Sequence, residues 1–290
     1  MTLFLKAKRA GSIPSLIFFV IFFTLFSILG SVFLALESGN PINKVTHSLY
    51  GSQSFNEEAG KYVVNKFLEK STGEERTIFL EKGPQISTAV TNLLGNPLFH
   101  QEADKISEVV YSYYAMGSKE IKSVDVRPIA NLALAGLVNI DPQFKELNKE
   151  LDKIKPIKLK AQKDGPDVAQ IRSILNLAIV LLLVLSFAML FLYVMFARSR
   201  KDTLRWPGLV LFLQGVSLTS IFLVANSLIA NQVNTSKDSL LRIGLPLAAH
   251  PLLAPFMLVG LLELIIGLGL FVGSFLRQLN GSSTPAVAIS

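Results

Sequence analysis

IPSLIFFVIFFTLFSILGSVFLAL (residues 13–36) and SILNLAIVLLLVLSFAMLFLYVMF (residues 173–196) are two of four apolar runs in this chain, and they bound its largest polar interval. The others are Pro207–Ile229 and Leu252–Phe275. A hydrocarbon core of about 30 Å is crossed by about 20 helical residues, so each run is long enough to span it. The remaining intervals are short. The expected fold class is a membrane all-α protein: four transmembrane helices and a mainly helical extracytoplasmic domain with a two-stranded β element. The expected organisation is 1–12 cytoplasmic, a first span at 13–36, an outward domain at 37–171 and a second span at 173–196. A cytoplasmic loop at 197–206, a third span at 207–229, an outward loop at 230–251, a fourth span at 252–275 and a cytoplasmic tail at 276–290 complete it.

Only 17% of residues are charged, below the roughly 25% usual in soluble domains, which points to lipid. The charges are also unevenly placed. Lys6, Lys8, Arg9, Arg198, Arg200, Lys201, Arg205 and Arg277 flank the runs, with Asp202 the lone anion among them, and their excess equals the whole formal net charge of +7. The stretch from Glu37 to Arg172 is neutral, with 18 cationic and 18 acidic residues. The basic balance is therefore a topology signal and not a nucleic-acid surface. Cations favour the cytoplasmic side, which predicts a multi-pass plasma-membrane protein with both termini inside and 37–171 outside. Trp206 and Tyr193 lie near run ends, where aromatic belts form. Lys6–Arg9 ahead of the first run resembles a signal peptide, but a run of 24 residues exceeds an h-region of about 7–15, so an uncleaved anchor is expected. The chain has no cysteine, which excludes disulfides, thiolate metal sites and cysteine nucleophiles.

The polar interval reads as helices. Ser54-Phe55-Asn56-Glu57 has the form of a capping box. A second helix is expected to begin near Pro84, and Gly95-Asn96-Pro97 to stop it and start a third, which runs to Gly117. Ile121–Val126 and Pro156–Lys160 read as short strands able to pair. Arg127-Pro128 opens a further helix to Leu137, and Asp141-Pro142 another. Asp164–Asp167 breaks the chain, with Asp167 capping a helix that continues into the second span. Ser239–Leu247 suits either an interfacial amphipathic helix or a plain loop, and Gly281–Ser290 reads as a disordered tail.

Asn96-Pro97-Leu98-Phe99 and Val124-Asp125-Val126-Arg127-Pro128-Ile129 give the interval a resemblance to a group of actinobacterial-type integral membrane proteins with an N-terminal span and a helical outward domain. It covers roughly residues 40–170. The chain departs from that pattern at Ala103–Tyr111, which lacks the usual Trp and the Asn/Ala/His run. The resemblance implies architecture only, with no catalytic residues to carry over.

Glu263 is the sharpest single residue, because it stands near the middle of the fourth run. A carboxyl at that depth is costly and usually faces a bundle interior. Gly260 and Gly267 lie on its face, where small residues admit a neighbouring helix. Gly269 and Gly273 continue the strip and could serve either packing within the chain, the reading expected here, or a dimer contact. Thr24, Ser27, Ser186, Gln214, Ser217 and Ser220 supply polar groups at similar depth. The group is either a hydrogen-bonded tie between helices or a proton- or ligand-sensitive switch. His100, Asp104 and Glu108 share one helical face, but no closing ligand set accompanies them, so no metal is expected. HExxH, GxSxG, P-loop and dinucleotide fingerprints are absent. The expectation is a non-enzymatic protein without cofactor, whose partners are the bilayer and a protein or envelope component bound by the outward domain. The alternative is a transport-related subunit, either with ABC permease-like transmission or with an ion or proton pathway through Glu263.

Overall fold

The computed structural model describes residues 2–37, 39–116, 123–159, 168–197, 199, 201–236 and 238–281. Four helices are long and apolar enough to cross a membrane: α1 (Thr2–Glu37), α8 (Val168–Phe196), α9 (Asp202–Thr235) and α10 (Ser239–Gly281). Between α1 and α8 lie α2 (Pro41–Tyr50), α3 (Gln53–Lys70), α4 (Glu74–Leu94), α5 (Pro97–Tyr114), β1 (Ser123–Val124), α6 (Arg127–Val138), a 3-10 turn (Pro142–Leu147), α7 (Asn148–Leu151) and β2 (Ile157–Lys158). The chain divides into two compact units. One comprises residues 1–35, 173–225 and 253–290, the other 36–172 and 226–252.

The first unit is a bundle with its polarity reversed. Its outward surface carries Leu177, Phe187, Phe191, Leu223 and Ile265, each at least 60% exposed. Its interior holds Ser27, Ser31, Ser186, Gln214, Glu263 and Ser274. In water such a surface would associate, whereas in lipid it meets its own kind, and the buried polar groups tie helix to helix. Tyr193 is buried and donates its hydroxyl to the Asp202 carbonyl at 2.8 Å. It therefore ties α8 to the start of α9 and does not join an interfacial belt. Trp206 is exposed, with the Arg205 guanidinium 5.9 Å from its ring.

Two expected boundaries shift. α9 begins at Asp202, five residues before Pro207, because Ser199 caps it: the Asp202 amide donates to Ser199 Oγ at 3.1 Å. The loop expected at 230–251 is mostly helix. α9 runs to Thr235, and Asp238 Oδ1 accepts from the Leu240 and Leu241 amides to start α10 at Ser239. Of the two expectations for Ser239–Leu247, helix or plain loop, the helix is found, and the segment packs. Gly244 lies so near Phe55 that a Cβ would stand 3.0 Å from its ring, and Ser239 Oγ donates to Glu58. At 1.5 Å per residue α9 is about 51 Å long and α10 about 64 Å, well beyond a hydrocarbon thickness of about 30 Å. The surplus, residues 226–252, belongs to the second unit.

The second unit is built on the α3–α4 hairpin. Ala59, Gly60, Val64 and Ile86 are buried between these helices. The α3 cap is Ser52 and not Ser54, because Gly51 closes α2 and leaves Ser52 extended; Ser52 Oγ accepts from the Phe55 amide at 3.4 Å. Glu57 does not reach back but accepts from Gln53 Nε2. α4 begins at Glu74 and runs through Pro84. Proline favours a first turn, yet here the packing of Gly83 on Val64 and of Ile86 in the core carries the helix past one missing amide. Gly95 and Asn96 divide α4 from α5 as expected, with Asn96 Oδ1 accepting from the Leu98 amide at 2.8 Å. α5 ends at Tyr114. Gly117, Ile121, Lys122 and the expected break at Asp164–Asp167 lie outside the described residues, as do Arg198, Arg200 and 282–290. β1 and β2 pair antiparallel, with Ser123 opposite Lys158 and Val124 opposite Ile157. The segment after Asp141 is a 3-10 turn followed by one α turn, not a single helix.

Three carboxyls of this unit sit below their ordinary range. The Arg127 side chain and amide hold Asp125 down at about 2, Lys82 lowers Asp141, and a Ser239 hydrogen bond lowers Glu58. Groups lowered on folding add stability above their unfolded values near 4, and that stability is lost as pH falls through the folded values. Hydrogen-exchange protection of residues 123–158 is therefore expected to hold from pH 7 to about 4 and to decline toward about 2. Asp125→Asn should remove part of that decline.

Candidate functional site

In the first unit α1, α9 and α10 contribute a buried polar cluster. Ser27 stands near the middle of the apolar part of α1 and is 1% exposed; Glu263 on α10 is 6% exposed. Glu263 Oε1 meets Ser27 Oγ, while Glu263 Oε2 has no hydrogen-bond partner. Ser27 Oγ also lies 2.9 Å from the Phe23 carbonyl. That carbonyl accepts from Gln214 Nε2 on α9 at 3.2 Å, and Gln214 Oε1 accepts from Thr24 at 3.4 Å. Ser31, one turn beyond Ser27, is fully buried and donates to the Ser27 carbonyl. The contact of Glu263 with Ser27 joins residues 236 positions apart.

Gly260 and Gly267 admit α9. A Cβ on Gly260 would stand 2.9 Å from the Thr219 amide and 3.0 Å from the Gly215 carbonyl. One on Gly267 would stand 2.7 Å from the Gly208 carbonyl. The relation is reciprocal: a Cβ on Gly215 would stand 2.5 Å from the Gly260 carbonyl, and one on Gly208 2.7 Å from the Phe271 amide. The contacts pair low numbers on α9 with high numbers on α10, as antiparallel helices require. Each helix repeats its glycine at seven residues, the period that keeps one seam facing a neighbour. Gly208, Gly215 and Ser31 were not anticipated, although the matching seven-residue spacing on two neighbouring runs is visible in the sequence. Gly269 and Gly273 behave differently from expectation. Among the described residues nothing lies within 4 Å of a Cβ built on either, so the strip splits, and its second half makes no close contact like those of Gly260 and Gly267. Ser217 and Ser220 are exposed and away from the cluster, and Ser186 is bonded to its own helix at the Leu182 carbonyl.

In the second unit the metal-like face is dispersed. Asp104 pairs with His47 at 3.0 Å, His100 Nε2 donates to the Leu94 carbonyl at 2.6 Å, and Glu108 accepts from Asn40. Tyr50 stacks on His100 and meets Phe99 edge-on, so both histidines serve the α2–α5 contact. Among the described residues no group of three metal-type ligands forms. A groove of about 570 Å³ lies between α4 and α6. Gln85, Thr88 and Asn92 line it from one stripe of α4, Asn139 and Gly136 from the α6 side, and none of its eleven lining residues is charged. The carboxamides each present a donor and an acceptor, which suits hydrogen bonding to an uncharged polar surface.

Comparison with protein-family models, curated proteins and solved structures finds no match to this chain.

Proposed function

We propose that this chain is a non-enzymatic multi-pass protein of the cell membrane, with cytoplasmic termini and an outward helical unit that binds an uncharged polar envelope component. The observation that carries the binding reading is the α4–α6 groove. It is free of charge in an interval where 36 of 136 residues, Glu37 to Arg172, are charged. The orientation rests on the cations that flank the apolar runs.

The absence of cysteine makes single-cysteine labelling a clean test. With a membrane-impermeant maleimide, Lys66→Cys is expected to react in intact cells, and Ser283→Cys only after permeabilisation. Asn92→Cys, in the groove, is expected to react readily in the purified protein and several-fold less in intact cells, where the partner covers it. Labelling of Lys66→Cys only after permeabilisation would reverse the orientation. Equal labelling of Asn92→Cys in both settings would remove the groove as the binding surface.

A further inference from the structure

Glu263 is more than 90% buried, in the middle of a span, and one of its oxygens has no partner. No cation reaches it among the described residues. The other charged side chains described in this unit, Lys201, Asp202 and Arg205, lie at or just before the first turn of α9, so even Arg205 is about 13 Å along the helix from Gln214. The elements packed around the cluster add only neutral groups: Thr24, Ser27 and Ser31 from α1, and Gln214 and Thr219 from α9. Tyr193 on α8 is committed to the Asp202 carbonyl.

The hydrogen atoms can be counted. Ser27 has one hydroxyl proton and stands against two acceptors, the Phe23 carbonyl and Glu263 Oε1. Its single proton can fully satisfy only one of them. If Glu263 were ionised, the second contact would set two oxygens together without a proton between them. A buried carboxylate would also lack both counter-ion and solvent, which is the costliest form of burial. Both contacts are satisfied when the carboxyl supplies its own proton: Oε1–H donates to Ser27 Oγ, and Ser27 donates to the Phe23 carbonyl.

We propose that Glu263 is a proton-binding site, whose bound proton forms the hydrogen bond that links α10 to Ser27 of α1. The ligand is the proton itself. A monovalent cation held by an ionised Glu263 is the competing occupant.

Infrared spectroscopy of the full-length protein in detergent or vesicles at pH 7 separates the two. A protonated carboxyl has a carbonyl band well apart from carboxylate bands, and it shifts in deuterated water. The wild type is expected to show that band, Glu263→Gln to lose it, and Ser27→Ala to move it to higher frequency as its hydrogen-bond partner disappears. Glu263→Gln should keep the thermal midpoint near that of the wild type, because its amide can donate to Ser27 in place of the acid. If Glu263→Gln does not fold, the Ser27→Ala shift alone decides. Absence of the band in the wild type, a band untouched by both variants, or its loss on adding sodium or lithium would overturn the proposal. These outcomes leave the groove reading untouched, since that is read by cysteine protection in the other unit.

Discussion

Gly267→Leu is expected to abolish assembly of the four-helix unit, while Gly269→Leu, two residues on, leaves it close to wild type. A Cβ on Gly267 would fall against the Phe212 backbone and 2.7 Å from the Gly208 carbonyl. Overpacking costs about 1–3 kcal/mol when side chains can swing aside. Here the obstacles are main-chain atoms of α9, so the helices must part. Parting them also opens the reciprocal contacts of Gly208, Gly215 and Gly260. In lipid that loss is not offset by a hydrophobic drive, because helix association rests on close packing and interhelical hydrogen bonds. Gly269 faces open space, so a leucine there adds only another apolar side chain to a surface already made of them. Size-exclusion profiles and thermal aggregation midpoints of the two variants in mild detergent make the comparison. Similar behaviour of the two would mean that the glycine seam does not hold α9 to α10.

The number of membrane-length helices and the plan of a helical interval between the first two were legible because hydropathy is additive along one helix and needs no partner. The α4–α5 break was legible for a similar reason, since Gly95, Asn96 and Pro97 act through their own backbone geometry, and the β1–β2 strands were legible from their composition. What failed depended on neighbours. Pro84 reads as a helix start in isolation, and only its packing beside Val64 and Ile86 makes it a helix interior. Ser239–Leu247 suits helix or loop equally in isolation, and its contacts with Phe55 and Glu58 accompany the helix that forms. Ser52 and Ser54 are equal as caps by residue type, and the end of α2 chooses between them. Glu263 could be singled out by its depth, yet its partner Ser27 could not be distinguished from Thr24 or Ser186 without the helix arrangement. The glycine strip on α10 split for the same reason: Gly260 and Gly267 meet matching glycines on α9, and Gly269 and Gly273 meet none.

Gly60→Val is expected to dismantle the α3–α4 hairpin. A Cβ at Gly60 would run into the Ser87 carbonyl, with Ser87 Oγ at 2.8 Å and Thr91 Oγ1 at 3.0 Å. Thr91 is not free to move away, because its hydroxyl is held 2.9 Å from the Ser87 carbonyl and 3.2 Å from the Asn56 carbonyl. Asn56 in turn donates to the Tyr50 carbonyl at 2.7 Å and so ties α3 to the end of α2. A branched side chain at Gly60 therefore displaces α4 from α3 and withdraws Ile86, 2% exposed, from its core. Emptying a buried site of that size costs about 2–5 kcal/mol in its own right, comparable to the whole stability of many domains, about 5–15 kcal/mol. Gly73→Ala tests whether the position, and not the mere loss of a glycine, is responsible. Gly73 turns the chain between α3 and α4 at φ +61°, ψ −133° with nothing near its Cβ, so alanine there costs backbone strain alone, about 1–3 kcal/mol. Amide hydrogen exchange of residues 53–94 in the full-length protein should show protection largely lost in Gly60→Val and slightly reduced in Gly73→Ala. Equal losses would place the stability of this unit in its turn and not in the α3–α4 contact.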